Sequence, residues 1–118
     1  MSSAPDQGVV ASALEVVAIE AAETVPPGTF SPAERRYAAS KSDPARRLAA
    51  RLAAKRAAAG LLGVELGEVE VLPARGGPPA LRLSAAGRRA LHGRGAARML
   101  VSLTHGRTHA AAAVLLLA

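Results

Sequence analysis

Apolar and polar positions follow two different spacings along this chain, and each predicts its own elements. The run Gly8-Val9-Val10-Ala11-Ser12-Ala13-Leu14-Glu15-Val16-Val17 is rich in β-branched residues and predicts a strand, leading into a short helix over 19–23. Val25-Pro26-Pro27-Gly28 breaks the chain. Ser31-Pro32-Ala33-Glu34 has capping-box spacing with proline at the first helical position, so a helix runs from there to about Ala39. Asp43 and Pro44 repeat the signal, as an N-cap followed by proline. Nearly every residue over 48–60 is a strong helix former, and Gly60 or Gly63 ends the run. Leu48 and Leu52 share a face of this helix. Arg47, Arg51 and Lys55, also four apart, form a cationic ridge, and small alanines between the two allow close approach of a neighbour.

The second half switches to alternation. Glu68-Val69-Glu70-Val71-Leu72 predicts a strand with Val69 and Val71 inward. Arg75-Gly76-Gly77-Pro78 is turn chemistry, and Ala80-Leu81-Arg82-Leu83 alternates again, which makes a hairpin. Ser84 caps a helix through about His92 that ends in Gly93 and Gly95. Residues 99–104 form a strand, His105-Gly106-Arg107-Thr108 turns the chain, and 109–117 returns as a strand. The sum is α+β: an antiparallel sheet carrying helices on one side.

Composition narrows the class. At 118 residues the chain is one domain over 8–118, with a polar and disordered segment at 1–7. Phe30 and Tyr37 are its only aromatics, so the core is built from Leu, Val and Ala, and a lone subunit gains from oligomerisation. The absence of cysteine excludes disulfides and thiolate metal sites and fits a reducing cytoplasm. No run of eighteen apolar residues marks a membrane span, and the polar residues 1–7 are not expected to be a signal peptide. The net charge of +6 suits an anionic partner: nucleic acid, a phosphate-bearing cofactor or an acidic protein. An arginine- and alanine-heavy composition also follows from a GC-rich genome, so charge alone selects none of them. The scarcity of aromatics argues against stacking on single strands.

Motif spacing is more specific. Leu48-Ala49-Ala50-Arg51-Leu52-Ala53-Ala54-Lys55-Arg56-Ala57-Ala58-Ala59-Gly60 resembles the signature helix of the holo-acyl-carrier-protein synthases, the small 4′-phosphopantetheinyl transferases, which reads approximately L-A-x-R-F-A-A-K-E-A-x-x-K. Residues 8–19 are similar to the family's first strand, G-I-G-x-D-I-V-E-I-x-R-I. Phe30-Ser31-Pro32-Ala33-Glu34 resembles F-T-x-x-E. Residues 77–83 resemble G-K-P-x-x-x-L, and Val101-Ser102-Leu103-Thr104-His105 resembles V-S-[IL]-S-H. Five motifs occur in order over nearly the whole chain.

The resemblance implies the 4′-phosphopantetheinyl transferase fold and a trimer with sites at subunit interfaces. It also implies coenzyme A as the donor and a serine of an acyl carrier protein as the acceptor. In that family magnesium is held by the Asp of the first strand and the Glu of the signature helix. Attack at a phosphorus surrounded by anionic oxygens needs such a cation, and a hard cation needs carboxylate oxygens. Here those two positions are Ser12 and Arg56. Glu15 lies on the opposite face of the strand from Ser12 and about 10 Å along it, a poor substitute. The second, phosphate-gripping Lys is Gly60, and the carrier-docking Arg is Ala18. Arg51, Lys55 and His105 survive.

With these losses the resemblance predicts a degenerate, non-catalytic member. It would bind a carrier protein, a coenzyme A-like ligand or a partner subunit in fatty-acid or polyketide type biosynthesis. The cofactor-binding candidates are Arg51, Lys55, Arg56 and His105, with His105 as a catalytic relict. Arg51 and Lys55 could equally be a solvated pair. Arg56 could replace the cation by holding an anion itself, or point to solvent. No metal ligand set is expected, and magnesium is not expected as a cofactor. The partners would be an acyl carrier protein or carrier-dependent synthase, and copies of this chain or an intact paralogue. A membrane is not expected, and nucleic acid is disfavoured. An active synthase, a structural subunit lending its interface, and a basic nucleic-acid-binding module remain open alternatives.

Overall fold

The first strand, β1 (Val9–Ala18), alternates as its sequence requires, with Ala11, Ala13, Glu15 and Val17 turned inward and Val10, Ser12, Leu14 and Val16 outward. The structure is a computed structural model that describes residues 8–73 and 76–118. The disordered segment expected at 1–7, and the Arg75 position of the hairpin turn, lie outside them. A 3-10 helix (Ile19–Thr24) follows β1, then α1 (Pro32–Ala39) and α2 (Pro44–Leu62). The second half contributes β2 (Val69–Leu72), β3 (Ala80–Leu83), α3 (Ala85–Gly93), β4 (Arg98–His105) and β5 (His109–Leu117).

The strands form two sheets. A three-stranded antiparallel sheet has the order β1-β5-β4, and β2 and β3 pair only with each other. The space between β3 and β4 is lined by Leu81, Leu91 and Met99 instead of being bridged by backbone hydrogen bonds. The apolar segment over 109–117 is the central strand, with Ala13 opposite Val114 on one side and Val101 opposite Val114 on the other.

Helix α2 lies on the inner face of the larger sheet. Ala49, Leu52, Ala53, Ala57 and Ala58 are buried against Val17, Val101, Ala112, Val114 and Leu116. The alanines let the helix sit close, and Leu52 is its largest fully buried apolar side chain. Val69 and Val71 are buried as their alternation predicts.

The helix ends follow local chemistry with one exception. Ser31 Oγ accepts from the Glu34 backbone N–H at 3.1 Å, and Glu34 Oε1 accepts from the Ser31 N–H at 2.8 Å, completing the capping box. Ser84 Oγ accepts from the Gly87 N–H at 3.1 Å and starts α3. Helix α2 passes through Gly60 and stops at Gly63, whose φ of 72° is the left-handed stop that glycine allows. The exception is Asp43. It stands at the N-cap, but its side chain makes no cap hydrogen bond, because the carboxylate is turned toward Arg47.

Candidate functional site

The N-terminal half of α2, the end of α1, the C-terminal end of β4 and the β2–β3 connection just before β3 converge on a cavity of about 370 Å³. Its charged and polar lining comprises Tyr37 of α1, Arg47 and Arg51 of α2, and Thr104 and His105 of β4, with Pro79 closing one side. The four-residue spacing on α2 brings the two arginines to one face.

Arg51 is the unusual member. It is 3% exposed, and its guanidinium carbon lies 4.1 Å from the centre of the Tyr37 ring. Nη1 donates to the Arg47 carbonyl at 3.4 Å, whereas Nε is buried with no hydrogen-bond partner among the described residues. Burial pushes the Arg51 pKa down from its ordinary value, and Tyr37 pulls it back. The group remains a cation at any physiological pH. A buried cation with an orphan N–H is costly unless an acceptor completes it.

Arg47 Nε donates to Asp43 Oδ1 at 3.0 Å. That hydrogen bond holds the Asp43 carboxyl below its ordinary value and raises Arg47. Asp43 Oδ2 lies 3.7 Å from His105 Nε2, an ion pair whenever the imidazole is protonated. Asp43 thus offsets one cation, and the cavity keeps a surplus of positive charge that suits an anion such as a phosphate.

The four cofactor-binding candidates separate. Arg51 and His105 meet in the cavity, and Lys55 and Arg56 do not line it. Lys55 is 1% exposed, and its Nζ donates to Glu34 Oε1 at 2.7 Å and to the Val69 carbonyl. The expected ridge of Arg47, Arg51 and Lys55 is therefore neither a solvated pair nor a continuous cationic surface. Its last member is sealed by the acid of the capping box. Arg56 is exposed on α2, and Ser12 is exposed on the face of the sheet turned away from α2. Glu15 faces inward, opposite to Ser12.

A magnesium ion does not fit these positions. A hydroxyl and a guanidinium supply no carboxylate oxygen, and among the described residues no group of three His, Asp or Glu side chains converges. Tyr37 and Thr104 belong to the cavity without having been named as site candidates by sequence, and Arg47 was named only as part of the cationic ridge. The available signals were the four-residue step from Arg47 to Arg51 and the rarity of aromatics.

Known proteins carry the same architecture. A holo-[acyl-carrier-protein] synthase from Anaeromyxobacter dehalogenans (strain 2CP-C) is 42% identical over 90 residues, which span 74% of this chain and 70% of that protein. The chain belongs to the holo-acyl-carrier-protein synthase family. Its fold matches the acyl carrier protein synthase of Mycobacterium tuberculosis at 34% identity, with a TM-score of 0.68 over 92% of this chain and 97% of that one. The ACPS–CoA complex from Chronobacterium ammoniagenes matches at 28% identity, with a TM-score of 0.73 over 90% and 95% of the two chains. No family model matches the chain. No described helix is long and apolar enough to cross a membrane.

Proposed function

We propose that this member of the holo-acyl-carrier-protein synthase family binds coenzyme A through the Arg47–Arg51–His105 cavity and does not carry out magnesium-assisted phosphopantetheine transfer. The observation that carries the reading is the Arg51 guanidinium group, stacked on Tyr37 and lining with Arg47 and His105 a cavity of surplus positive charge. A phosphate of the ligand accepts from the Arg51 and Arg47 guanidinium groups, and from His105 when its imidazole is protonated. Tyr37 holds the guanidinium plane in place. The complex of the Chronobacterium ammoniagenes relative with CoA supports the choice of ligand. Ser12 and Arg56, at the positions the family resemblance assigns to carboxylates, support the loss of transfer. The partner is an acyl carrier protein or a carrier-dependent synthase, and the compartment is the cytoplasm.

The proposal includes assembly. The outward face of the larger sheet exposes Val10, Leu14, Val16 and Leu100, with Leu14 69% and Val16 58% exposed. An apolar sheet face left in water is covered most simply by further subunits, and a trimer is the expected form. Those subunits are copies of this chain or an intact paralogue.

Calorimetric titration with coenzyme A, with and without millimolar magnesium, tests the reading. The expected result is binding that is independent of magnesium and weakened about tenfold or more by Arg51→Gln or Arg47→Ala. Magnesium-dependent transfer of labelled phosphopantetheine to a carrier protein would overturn the non-catalytic reading. Undiminished binding in both variants would overturn the site.

A further inference from the structure

Asp43 is placed for one role and makes the contacts of another. By position it is the N-cap of α2. Pro44 after it has no N–H, so the free donors of the first turn include those of Ala45 and Arg46. By contact it belongs beside the cavity. Oδ1 accepts from Arg47 Nε at 3.0 Å, and Oδ2 lies 3.7 Å from His105 Nε2. The other two α-helices show what Asp43 forgoes. Ser31 and Ser84 cap α1 and α3 from extended backbone, with ψ of 159° and 175°. At Asp43 ψ is 59°, and its side chain makes no cap hydrogen bond. Residues before a proline favour ψ of about 120–160°. Rotation in that direction carries the Asp43 side chain from Arg47 toward the first turn of α2.

The electrostatics make such an exchange easy. A partly exposed ion pair and an N-cap contribute similar, small amounts to stability. A carboxylate that leaves Arg47 for the first turn goes to the positive end of the helix dipole, not to bulk water. Arg47 and His105 are the charged or titratable groups that face Asp43, one from α2 and one from β4. Among the described residues, no other acid lies within ion-pair distance of a cavity residue. The hydrogen bond from Arg47 holds the Asp43 carboxyl below its ordinary value, so the group is ionised throughout the physiological range. It is a constant rival to any anion that approaches Arg47.

We propose that Asp43 is a positioning residue that competes with the ligand for Arg47: it holds the guanidinium until a phosphate takes it, and then turns to cap α2. This rests on the reading of the cavity as a coenzyme A site. Asp43 engages Arg47 through one oxygen, whereas a phosphate brings several acceptors to the arginine fork. The exchange links occupancy of the cavity to order in the first turn of α2. It also sets the affinity below what the two arginines would give without an internal acid.

NMR titration of the intact chain at about pH 8, where inorganic phosphate is a dianion, tests this with coenzyme A and with phosphate alone. Asp43→Asn removes the charge and keeps a good N-cap, so the fold is retained. It should tighten binding of both probes about threefold or more. In an Arg47→Ala background the same change should gain less than half as much, because there is no guanidinium to contest. An undiminished gain there would reduce Asp43 to general repulsion and overturn the exchange. Amide exchange at Ala45 and Arg46 should slow when either probe saturates the unaltered protein, and not in Asp43→Ala. Unchanged exchange would overturn the transfer to the cap. Coenzyme A binding equal in the unaltered protein and Asp43→Asn would overturn this inference and leave the ligand reading standing. Phosphate that binds more tightly to Asp43→Asn, with no binding of coenzyme A to either protein, would do the reverse. No binding of either probe to either protein would overturn both.

Discussion

Lys55 Nζ lies 2.7 Å from Glu34 Oε1 in a place that water does not reach from either side. Glu34 accepts three further contributions to its order: its Oε2 takes the Val71 N–H at 2.8 Å, its Oε1 takes the Ser31 N–H, and its own N–H is bonded to Ser31 Oγ. One carboxylate thus fixes α1 to α2 and to β2. A buried pair of this kind is a weak net stabiliser but costly to break, because the survivor is left charged in a dry site. Lys55→Met alone is therefore expected to destabilise the fold by about 3–5 kcal/mol, and Glu34→Gln by a similar amount. The double variant should lose clearly less than the sum. Urea unfolding of the four proteins measures the coupling, and additive losses would show that the two groups do not act as a pair.

Gly60 and Gly67 should respond in opposite directions. Gly60 is inside α2, exposed, without positive φ, and a Cβ there meets nothing within 4 Å. Gly60→Lys should stabilise the protein by about 0.5–1 kcal/mol, the helix-propensity gap between glycine and lysine. Gly67 is different because a Cβ there would come within 2.9 Å of the Gly28 carbonyl oxygen. Backbone must shift to admit it, so Gly67→Ala should cost about 1–3 kcal/mol. Thermal melts of both variants check the signs.

Acid should loosen the contact between the hairpin and α1. Ser31 Oγ donates to Glu70 Oε2 at 2.5 Å, and Arg82 pairs with Oε1, so the Glu70 carboxyl is held below its ordinary 4.5, chiefly by Ser31. A depressed carboxyl contributes stability that is fully present above the unfolded value and is lost as pH falls through the folded one. Glu70→Gln should flatten the fall in stability below about pH 4.5 and leave the neutral-to-alkaline limb unchanged. Denaturant midpoints across pH 2.5 to 7, about one unit apart, would reveal a parallel fall in both proteins if Glu70 made no such contribution.

Local chemistry explains which parts were legible. The Ser31 capping box, the Gly63 stop and the alternation of Val69 and Val71 depend on neighbours in sequence, and each appears where the pattern places it. The burial of Lys55 was not legible, because it depends on Glu34, twenty-one residues earlier, and on a carbonyl of β2. Helical spacing showed that Arg47, Arg51 and Lys55 share a direction. It could not show that Tyr37 would cover Arg51 while Lys55 was sealed beneath the hairpin. The separation of the sheets was hidden for the same reason. Whether β3 joins β4 is decided by the side chains of Leu81, Leu91 and Met99, not by either strand's own pattern.

The two positions that the family resemblance assigns to carboxylates give the last prediction. Ser12 leaves the sheet on the side away from α2, and Arg56 leaves α2 into solvent. Ser12→Asp with Arg56→Glu restores the residue types, but alternation along β1 aims the new aspartate at the face that Leu14 and Val16 leave uncovered. A second subunit on that face is what would bring further ligands to it. Magnesium binding by the double variant is thus expected only in the assembled protein. Adding Leu14→Lys, which puts a charge in the middle of the apolar face without supplying another carboxylate, should abolish both assembly and metal binding. Neither single change should bind magnesium, since one carboxylate rarely holds the ion against water. Calorimetry with magnesium chloride, paired with light scattering on the same samples, reads both properties together. Metal binding in the dispersed triple variant would mean that residues 12 and 56 converge within one chain. An assembled double variant with no affinity for magnesium would mean that these are not the metal positions, and the argument for lost catalysis would have to rest on other residues.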